Sequence, residues 1–131
     1  MEIIQLDGLE PQLFNLIGPL AMNPQILKAN NNYPFKTTER FHWYIAVEDH
    51  DVIGFVPVER KSSGYFINNY YVRNDASEVL SELLKAVTPK DKLYAIVQTK
   101  HEATFSGCGF QAEHRWTNYI KMIYNTDKNE Q

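Results

Sequence analysis

Three consecutive stretches of this chain have the character of β-strands and are joined by turns too short to contain a helix. They cover residues 41–47, 52–59 and 65–72, and polar residues separate them at 48–51 and 61–64. In the first stretch apolar side chains alternate with their neighbours, which is typical of a strand. Strands with such short connections pair in antiparallel fashion, because parallel pairing needs a longer crossover. The sequence therefore predicts an antiparallel sheet at the centre of the fold.

Helices are predicted on the N-terminal side of this sheet. Leucine and isoleucine recur between residues 9 and 20 at three- and four-residue spacing, and Pro19 is expected to kink or end that helix. Asn23 as an N-cap and Pro24 at the first helical position predict a second, short helix. A first strand at residues 2–6 precedes both helices.

The clearest helix signal follows Val72. Asp75 and Glu78 have the spacing of a capping box, in which the first side chain accepts from an early amide and the second reaches back. The remaining pattern predicts a buried strand at 93–97, a short helix at 100–106, a hairpin of 111–116 with 119–124, and a polar tail at 125–131. Residues 1–124 are thus expected to form one α/β (α+β) domain, with a mixed, mostly antiparallel sheet flanked by helices.

Composition narrows the classes of function. The chain has 131 residues, 44% of them hydrophobic, which is enough for one hydrophobic core. Its formal net charge of −3 gives no excess of positive charge for binding nucleic acid. A single cysteine indicates a reducing compartment such as the cytoplasm. The four histidines lack metal-ligand spacing, so no metal is predicted. Neither a signal peptide nor a membrane helix is expected.

The order of elements resembles that of the GNAT N-acyltransferases. Tyr70, Tyr71 and Val72 stand where that family's fourth strand runs into a cofactor-binding turn and helix, and Gly109-Phe110 resembles the family's Gly-Phe before the closing hairpin. The resemblance implies acetyl-CoA as a co-substrate, with its pyrophosphate on the amides that open the helix. The implied cofactor-binding residues are Val72, Arg73, Asp75, Ala76, Ser77 and Glu78.

Two departures from the family pattern accompany this resemblance. The family's turn carries glycines, but no glycine lies between Gly64 and Gly107. The tyrosine that many members use as general acid is matched by Phe105, which has no proton to donate. These departures favour an alternative, a non-catalytic binding module with a GNAT-like fold.

Candidate site residues lie on the central strands. A run of amide and aromatic side chains is expected to line an acceptor site, and it consists of Asn68, Asn69, Tyr70 and Tyr71. Glu59, at the end of its strand, is the candidate general base. Cys108 has the alternatives of a small packed residue or a nucleophile activated by His101 or His114.

Two functions thus remain open from the sequence. The first is transfer of an acetyl or acyl group from acyl-CoA to an amine acceptor, either a small molecule or a peptide. The second is the binding module, which would not bind CoA. Neither nucleic acid nor membrane is an expected partner, and a homodimer through the last hairpin is an open alternative.

Overall fold

The computed structural model describes residues 1–87 and 92–124. Its strands are β1 (Glu2–Asp7), β2 (Phe41–Glu48), β3 (Asp51–Lys61), β4 (Gly64–Ile67), β5 (Tyr71–Val72), β6 (Leu93–Gln98), β7 (Phe110–Arg115) and β8 (Tyr119–Tyr124). Its α-helices are α1 (Pro11–Ala21), α2 (Pro24–Ala29), α3 (Ser77–Ala86) and α4 (Glu102–Gly107). The predicted tail at 125–131 lies outside the described residues. No helix in the described part is long and apolar enough to cross a membrane.

All the described strands belong to one mixed sheet, as predicted. Its order is β1, β2, β3, β4, β6, β8, β7, and β5 pairs separately with β3. Neighbouring strands run antiparallel except for β4 and β6, which are parallel from Tyr65 opposite Leu93 to Ile67 opposite Ala95. This short parallel seam joins the N-terminal half of the sheet to the C-terminal half.

Helices cover the sheet on both faces, because side chains of each strand point alternately to the two sides. Trp43 of β2 lies in the core beneath α1, whereas its neighbour Tyr44 lies in the core beneath α3. Phe55 joins the first core and Phe105 of α4 joins the second. Burial of each such side chain contributes roughly 1.5–3 kcal/mol. Two apolar layers therefore hold the sheet from either side.

The two N-terminal helices follow their sequence signals with one exception. The Asn23 side chain accepts from the amide of Gln25 at 2.9 Å, which caps α2 as expected. Pro19, however, does not end α1, which continues to Ala21. Proline lacks the amide that would bond four residues back, but Asn15 at that position is exposed, so water can reach the carbonyl left without a donor.

The predicted strand at 65–72 is broken in the structure, which corrects the sequence analysis. Phe66 lies opposite Glu59, and Tyr71 lies opposite Phe55. The segment from Phe66 to Tyr71 is therefore one residue longer than the stretch of β3 that it faces. The extra residue makes residues 68–70 a bulge between β4 and β5. Such an insertion bends a strand and redirects its side chains.

A proline on the facing strand accounts for the bulge. The amide of Arg60 donates to the carbonyl of Arg40 on the β2 side of β3. Successive amides of a strand point to opposite neighbours, so the nitrogen of Pro57 faces the other way, toward the segment that contains β4 and β5. Because proline has no proton to donate, the ladder cannot continue at this level.

Candidate functional site

The bulge opens a gap in the middle of the sheet. Up to Ile67 the chain pairs with β6, but β5 pairs with β3, and beyond this point β6 is paired only with β8 on its other edge, as far as Gln98. Residues 68–72 and 96–98 therefore form the two sides of a splay between strands. Backbone that leaves its partner in this way is free to bind other groups.

Tyr70 extends from the bulge into this gap. Its hydroxyl accepts from the amide of Gln98 at 3.2 Å and lies 2.6 Å from Nδ1 of His101. His101 Nε2 lies 3.0 Å from Oδ1 of Asp75, whose carboxylate also accepts from Lys100. A carboxylate only accepts, so Nε2 carries the proton, and neutral Nδ1 accepts from Tyr70. A hydrogen-bonded chain thus runs from the gap through a buried imidazole to an exposed carboxylate.

The ionisation of these three groups fits this arrangement. Burial raises the pKa of the Tyr70 phenol, so it stays protonated. Burial also lowers the pKa of His101, and Asp75 offsets this only in part, so the imidazole stays neutral. Burial opposes ionisation of Asp75, but the hydrogen bonds and charges of Lys100 and His101 outweigh it and lower the pKa of that carboxyl.

The start of α3 differs from the predicted capping box. Asp75 has a positive φ of 52° and its carboxylate bonds Lys100 and His101, so it does not cap the helix. Ala76 is the N-cap and supplies no side-chain bond. Ser77 and Glu78 are exposed in the first turn. The prediction was wrong because His101, distant in sequence, competes for the Asp75 carboxylate, and the opening amides of α3 are left without a side-chain cap.

Asn30, at the end of α2, connects the two sides of the gap. It is 7% exposed, and its Nδ2 donates to Oδ1 of Asn69 on one side and to the carbonyl of Tyr33. Its Oδ1 accepts from Gln98 on the other side at 3.3 Å. The loop after α2 therefore crosses the splay and is held to both strands.

Two cavities meet at this crossing. The hairpin-side cavity, about 400 Å³, is lined by Asn30, Tyr33, Asn68, Asn69, Tyr70, Ile96, Gln98, Trp116 and Tyr119. The helix-side cavity, about 270 Å³, is lined by residues 70–75 together with Gln25, Ile26, Ala29, Asn30, Gln98 and His101. Asn30, Tyr70 and Gln98 line both. These three side chains form the partition between the cavities.

Most residues predicted for the site do come together here. Asn68 and Asn69 line the hairpin-side cavity, Tyr71 lines the helix-side cavity, and Tyr70 lines both. The predicted cofactor-binding residues divide: Val72, Arg73 and Asp75 line the helix-side cavity, while Ser77 and Glu78 line a more open groove along α3. Ala76 lies between the two groups. Arg73 is exposed, and no ion pair holds it to Asp75 or Glu78 within the described residues.

Two other candidates lie apart from the partition. The side chain of Glu59 is 12% exposed, its Oε1 is buried without a hydrogen bond among the described residues, and it lines neither cavity. Cys108 contacts Ser81, at 3.6 Å from Sγ to Oγ, and neither histidine that could activate it. Phe105, by contrast, is fully buried and packs on the Tyr70 ring of the partition, at 5.4 Å between ring centroids, and edge to face on Phe110. Glu59 as general base stays a prediction.

Several residues of the site were missed from the sequence. The sequence indicated His101 only as a partner for Cys108, and Trp116 only as the end of a strand in the last hairpin. Tyr33 and Asn30 lie in a loop without a motif. Two features of the sequence were signals of the bulge, namely a proline at position 57 and polar residues at positions 68 and 69. Each is unusual in a central strand.

The chain is similar to known proteins in its structure rather than in its sequence. No family model matches the sequence, and no curated protein matches it. Solved structures do match over nearly the whole chain. ElaA of Escherichia coli has a TM-score of 0.71 at 12% identity, with 95% of this chain and 100% of that chain covered.

Two further structures carry descriptions of activity or ligand. An acyl-CoA N-acyltransferase from Pseudomonas aeruginosa has a TM-score of 0.69 at 14% identity, covering 95% of this chain and 99% of that chain. The PaiA N-acetyltransferase of Thermoplasma acidophilum, solved in complex with coenzyme A, has a TM-score of 0.56 at 14% identity, with the same coverage. At such identities the likeness establishes a shared fold.

Proposed function

We propose, from the premise that this chain has the GNAT fold, that it transfers an acyl group from an acyl-CoA thioester to an amine. The alternative is a binding module without CoA. The observation that carries the proposal is the pair of cavities that meet at Tyr70, one on each side of the splay. A transfer reaction requires two substrates to approach one point from different directions, and the partition is such a point.

The helix-side cavity and the start of α3 have features that fit the donor. The opening amides of α3 have no side-chain cap, and amides in this position bind phosphate groups. Arg73 is exposed nearby and supplies a positive charge, whereas the charge of Lys100 is paired with Asp75. When bound, the thioester would supply an electrophilic carbonyl carbon and a thiolate leaving group.

Tyr70 and His101 can move the proton that the reaction displaces. As the amine nitrogen bonds to the acyl carbon, its proton passes to the Tyr70 oxygen while the Tyr70 proton passes to Nδ1 of His101. Asp75 stabilises the resulting imidazolium at Nε2. As the carbon–sulfur bond breaks, its electron pair goes to sulfur, and the same route returns the proton there. In this scheme Tyr70 takes the role that Phe105 cannot fill.

One observation favours the binding module instead. Asp75 and Glu78 place two carboxylates beside the amides of α3, where they repel a phosphate. Asp75 is already paired with Lys100 and His101, which reduces its effect. Glu78 has no such partner among the described residues, so it is the side chain whose charge tests the donor site.

Titration with acetyl-CoA, followed by calorimetry and thermal unfolding, tests the proposal. A ligand at one hundred times its dissociation constant stabilises a protein by about 2.7 kcal/mol, so binding must raise the unfolding temperature. Glu78→Gln removes one repulsive charge and is expected to tighten binding. Glu39→Gln, an exposed change outside both cavities and outside the groove along α3, is the matched control. Absence of any shift at millimolar acetyl-CoA would refute acetyl-CoA as the donor and favour the binding module.

A further inference from the structure

The hairpin-side cavity is aromatic and carries no charge. Four of its lining residues have aromatic rings, namely Tyr33, Tyr70, Trp116 and Tyr119. The others are Ile96 and four amide side chains. None of the lining residues, all of them within the described part of the chain, is acidic, basic or a histidine. The cavity therefore offers π faces and amide dipoles but no counter-charge.

Two of the rings stand open at the mouth of this cavity. Tyr33 is 63% exposed and Trp116 is 50% exposed, although they belong to segments far apart in sequence. Large aromatic side chains that are half exposed to water would bury more apolar surface if an apolar ligand bound against them. Both rings are accessible from the solvent and from the cavity.

Hydrogen bonds fix the frame on which these rings are held. Nδ2 of Asn31 donates to the hydroxyl of Tyr119, and this bond ties the loop after α2 to the C-terminal hairpin. The amide of Trp116 donates to the carbonyl of Tyr119 at 2.8 Å, and the amide of Tyr33 donates to the carbonyl of Asn30. The backbone that carries these rings is therefore held in place before any ligand enters, which lowers the entropic cost of binding.

The lining decides which charged ligands can bind. An ammonium group is attracted to the faces of Trp and Tyr rings even where no carboxylate is present. A carboxylate on the ligand would lose water without meeting a cation, which is costly. A second ammonium would likewise lack a partner. Asn68, exposed and without a hydrogen bond in the described residues, remains free to accept one ammonium proton.

We propose that the hairpin-side cavity binds a small primary amine with an aromatic or apolar body and no carboxylate. This assignment rests on the proposed transfer reaction, for which such an amine would be the acceptor. Its volume, about 400 Å³, lies in the lower part of the range for small-molecule sites. An amine in this cavity reaches the partition where Tyr70 lies. It enters as the ammonium and gives one proton to water before its nitrogen, then with a free lone pair, attacks the acyl carbon.

Tryptophan fluorescence offers a direct test, because the chain has only two tryptophans. Trp43 is buried beneath α1 and donates to Thr37, whereas Trp116 lines the cavity. Titration with 2-phenylethylamine is expected to change the emission of the wild type. The emission of Trp116→Phe, which comes from Trp43 alone, is expected to stay constant during the same titration. A response in both proteins would overturn the assignment.

Matched ligands test the chemical class. We expect 2-phenylethanol, which lacks the charge, phenylalanine, which adds a carboxylate, and 1,4-diaminobutane, which lacks the ring, each to bind at least about tenfold more weakly than 2-phenylethylamine. Equal affinity for phenylalanine or 1,4-diaminobutane would refute the proposed class. Trp116→Ala is expected to weaken the binding of 2-phenylethylamine about three- to thirtyfold, as measured by calorimetry. Asn68→Asp should raise the affinity for 1,4-diaminobutane.

Two separate titrations distinguish failure of the proposed transfer reaction from failure of the proposed amine site. Acetyl-CoA is titrated by calorimetry without amine, and 2-phenylethylamine is titrated without acetyl-CoA. Binding of the amine alone would support the cavity assignment and refute transfer. Binding of acetyl-CoA alone would refute the amine class and leave transfer to a different acceptor.

Discussion

The Tyr70 hydroxyl lies 2.6 Å from Nδ1 of His101, so a side chain released by the bulge is joined to a residue that follows β6. The two belong to opposite sides of the splay. His101 is only 5% exposed, and the Tyr70 bond together with the Asp75 bond uses both ring nitrogens. Chemistry at the partition and stability of the gap therefore depend on the same contacts.

Tyr70→Phe should separate these two contributions. Loss of the hydroxyl leaves the Gln98 amide and His101 Nδ1 without a partner, which is expected to lower the free energy of unfolding by about 1–3 kcal/mol in urea. If Tyr70 moves the proton, kcat for acetyl transfer to 2-phenylethylamine falls about 10²- to 10⁴-fold with a smaller change in KM. Tyr94→Phe, whose ring lies outside both cavities, is the control. An unchanged kcat would remove Tyr70 from the chemistry.

Stability should depend on pH through His101. Its pKa is lower in the folded protein than the ordinary value of 6.5, so below about pH 6.5 the unfolded chain binds more protons. The free energy of unfolding is therefore expected to fall as pH drops from about 6.5 toward the lowered pKa. His101→Gln should flatten this part of the curve, measured by urea unfolding at several pH values. His50→Gln, in an exposed turn, should retain it, and the same curve in both variants would contradict the prediction.

A second loss of stability is expected at lower pH, from Asp75. The pKa of Asp75 is lower in the folded protein than its usual value. Its contribution to the free energy of unfolding is therefore complete above the usual pKa and is lost as pH falls through the lowered pKa. Asp75→Asn should therefore remove the acid-side decline near and below about pH 4, monitored by circular dichroism. A decline unaltered in Asp75→Asn would assign it to other carboxylates.

Asn30→Ala tests the link across the splay. The change removes the bonds to Asn69, Gln98 and the Tyr33 carbonyl, and we expect the free energy of unfolding to fall by about 1–3 kcal/mol. Faster hydrogen exchange at the Gln98 amide should accompany it. Asn15→Ala, on the exposed face of α1, is the control and should not lower the free energy of unfolding. Equal stability of the two variants would show that the crossing is not held by Asn30.

Gly54→Ala tests the close packing of β3 on β5. A Cβ atom at Gly54 would lie 2.9 Å from the Tyr71 carbonyl oxygen and 3.0 Å from Cγ1 of Val72. The strand must shift to relieve this, at a cost of about 1–3 kcal/mol. A Cβ atom at Gly107 in α4 meets nothing within 4 Å, so Gly107→Ala should be neutral or stabilising. Comparable urea midpoints for the two variants would refute the argument.

The sequence predicted the elements better than the site. Alternation from Phe41 onward and the apolar stripe of α3 fixed the sheet and its cover, because burial imposes these periods locally. A one-residue insertion leaves almost no trace in such a pattern. Pro57 was the visible sign, but its consequence depends on which neighbour its nitrogen faces, and this is known only when the strands are paired.

The capping error has a related cause. Asp75 and Glu78 matched a local motif, and local competition was all that the sequence could weigh. In the fold, residues after β6 approach the start of α3, and Lys100 and His101 bind the Asp75 carboxylate instead. Likewise, no spacing rule links Tyr33 to Trp116. Contacts made between distant segments account for what could not be predicted.

The parallel seam between β4 and β6 has a mechanical consequence. Within residues 1–87 and 92–124, backbone bonds between the two halves of the sheet are confined to the short stretch from Tyr65 to Ile67. Side chains such as Tyr70 and Asn30 bridge the remainder. A pulling force applied to the chain ends would concentrate on this stretch. The molecule should rupture there first under load, with each half keeping its own hairpins for an interval before it unravels.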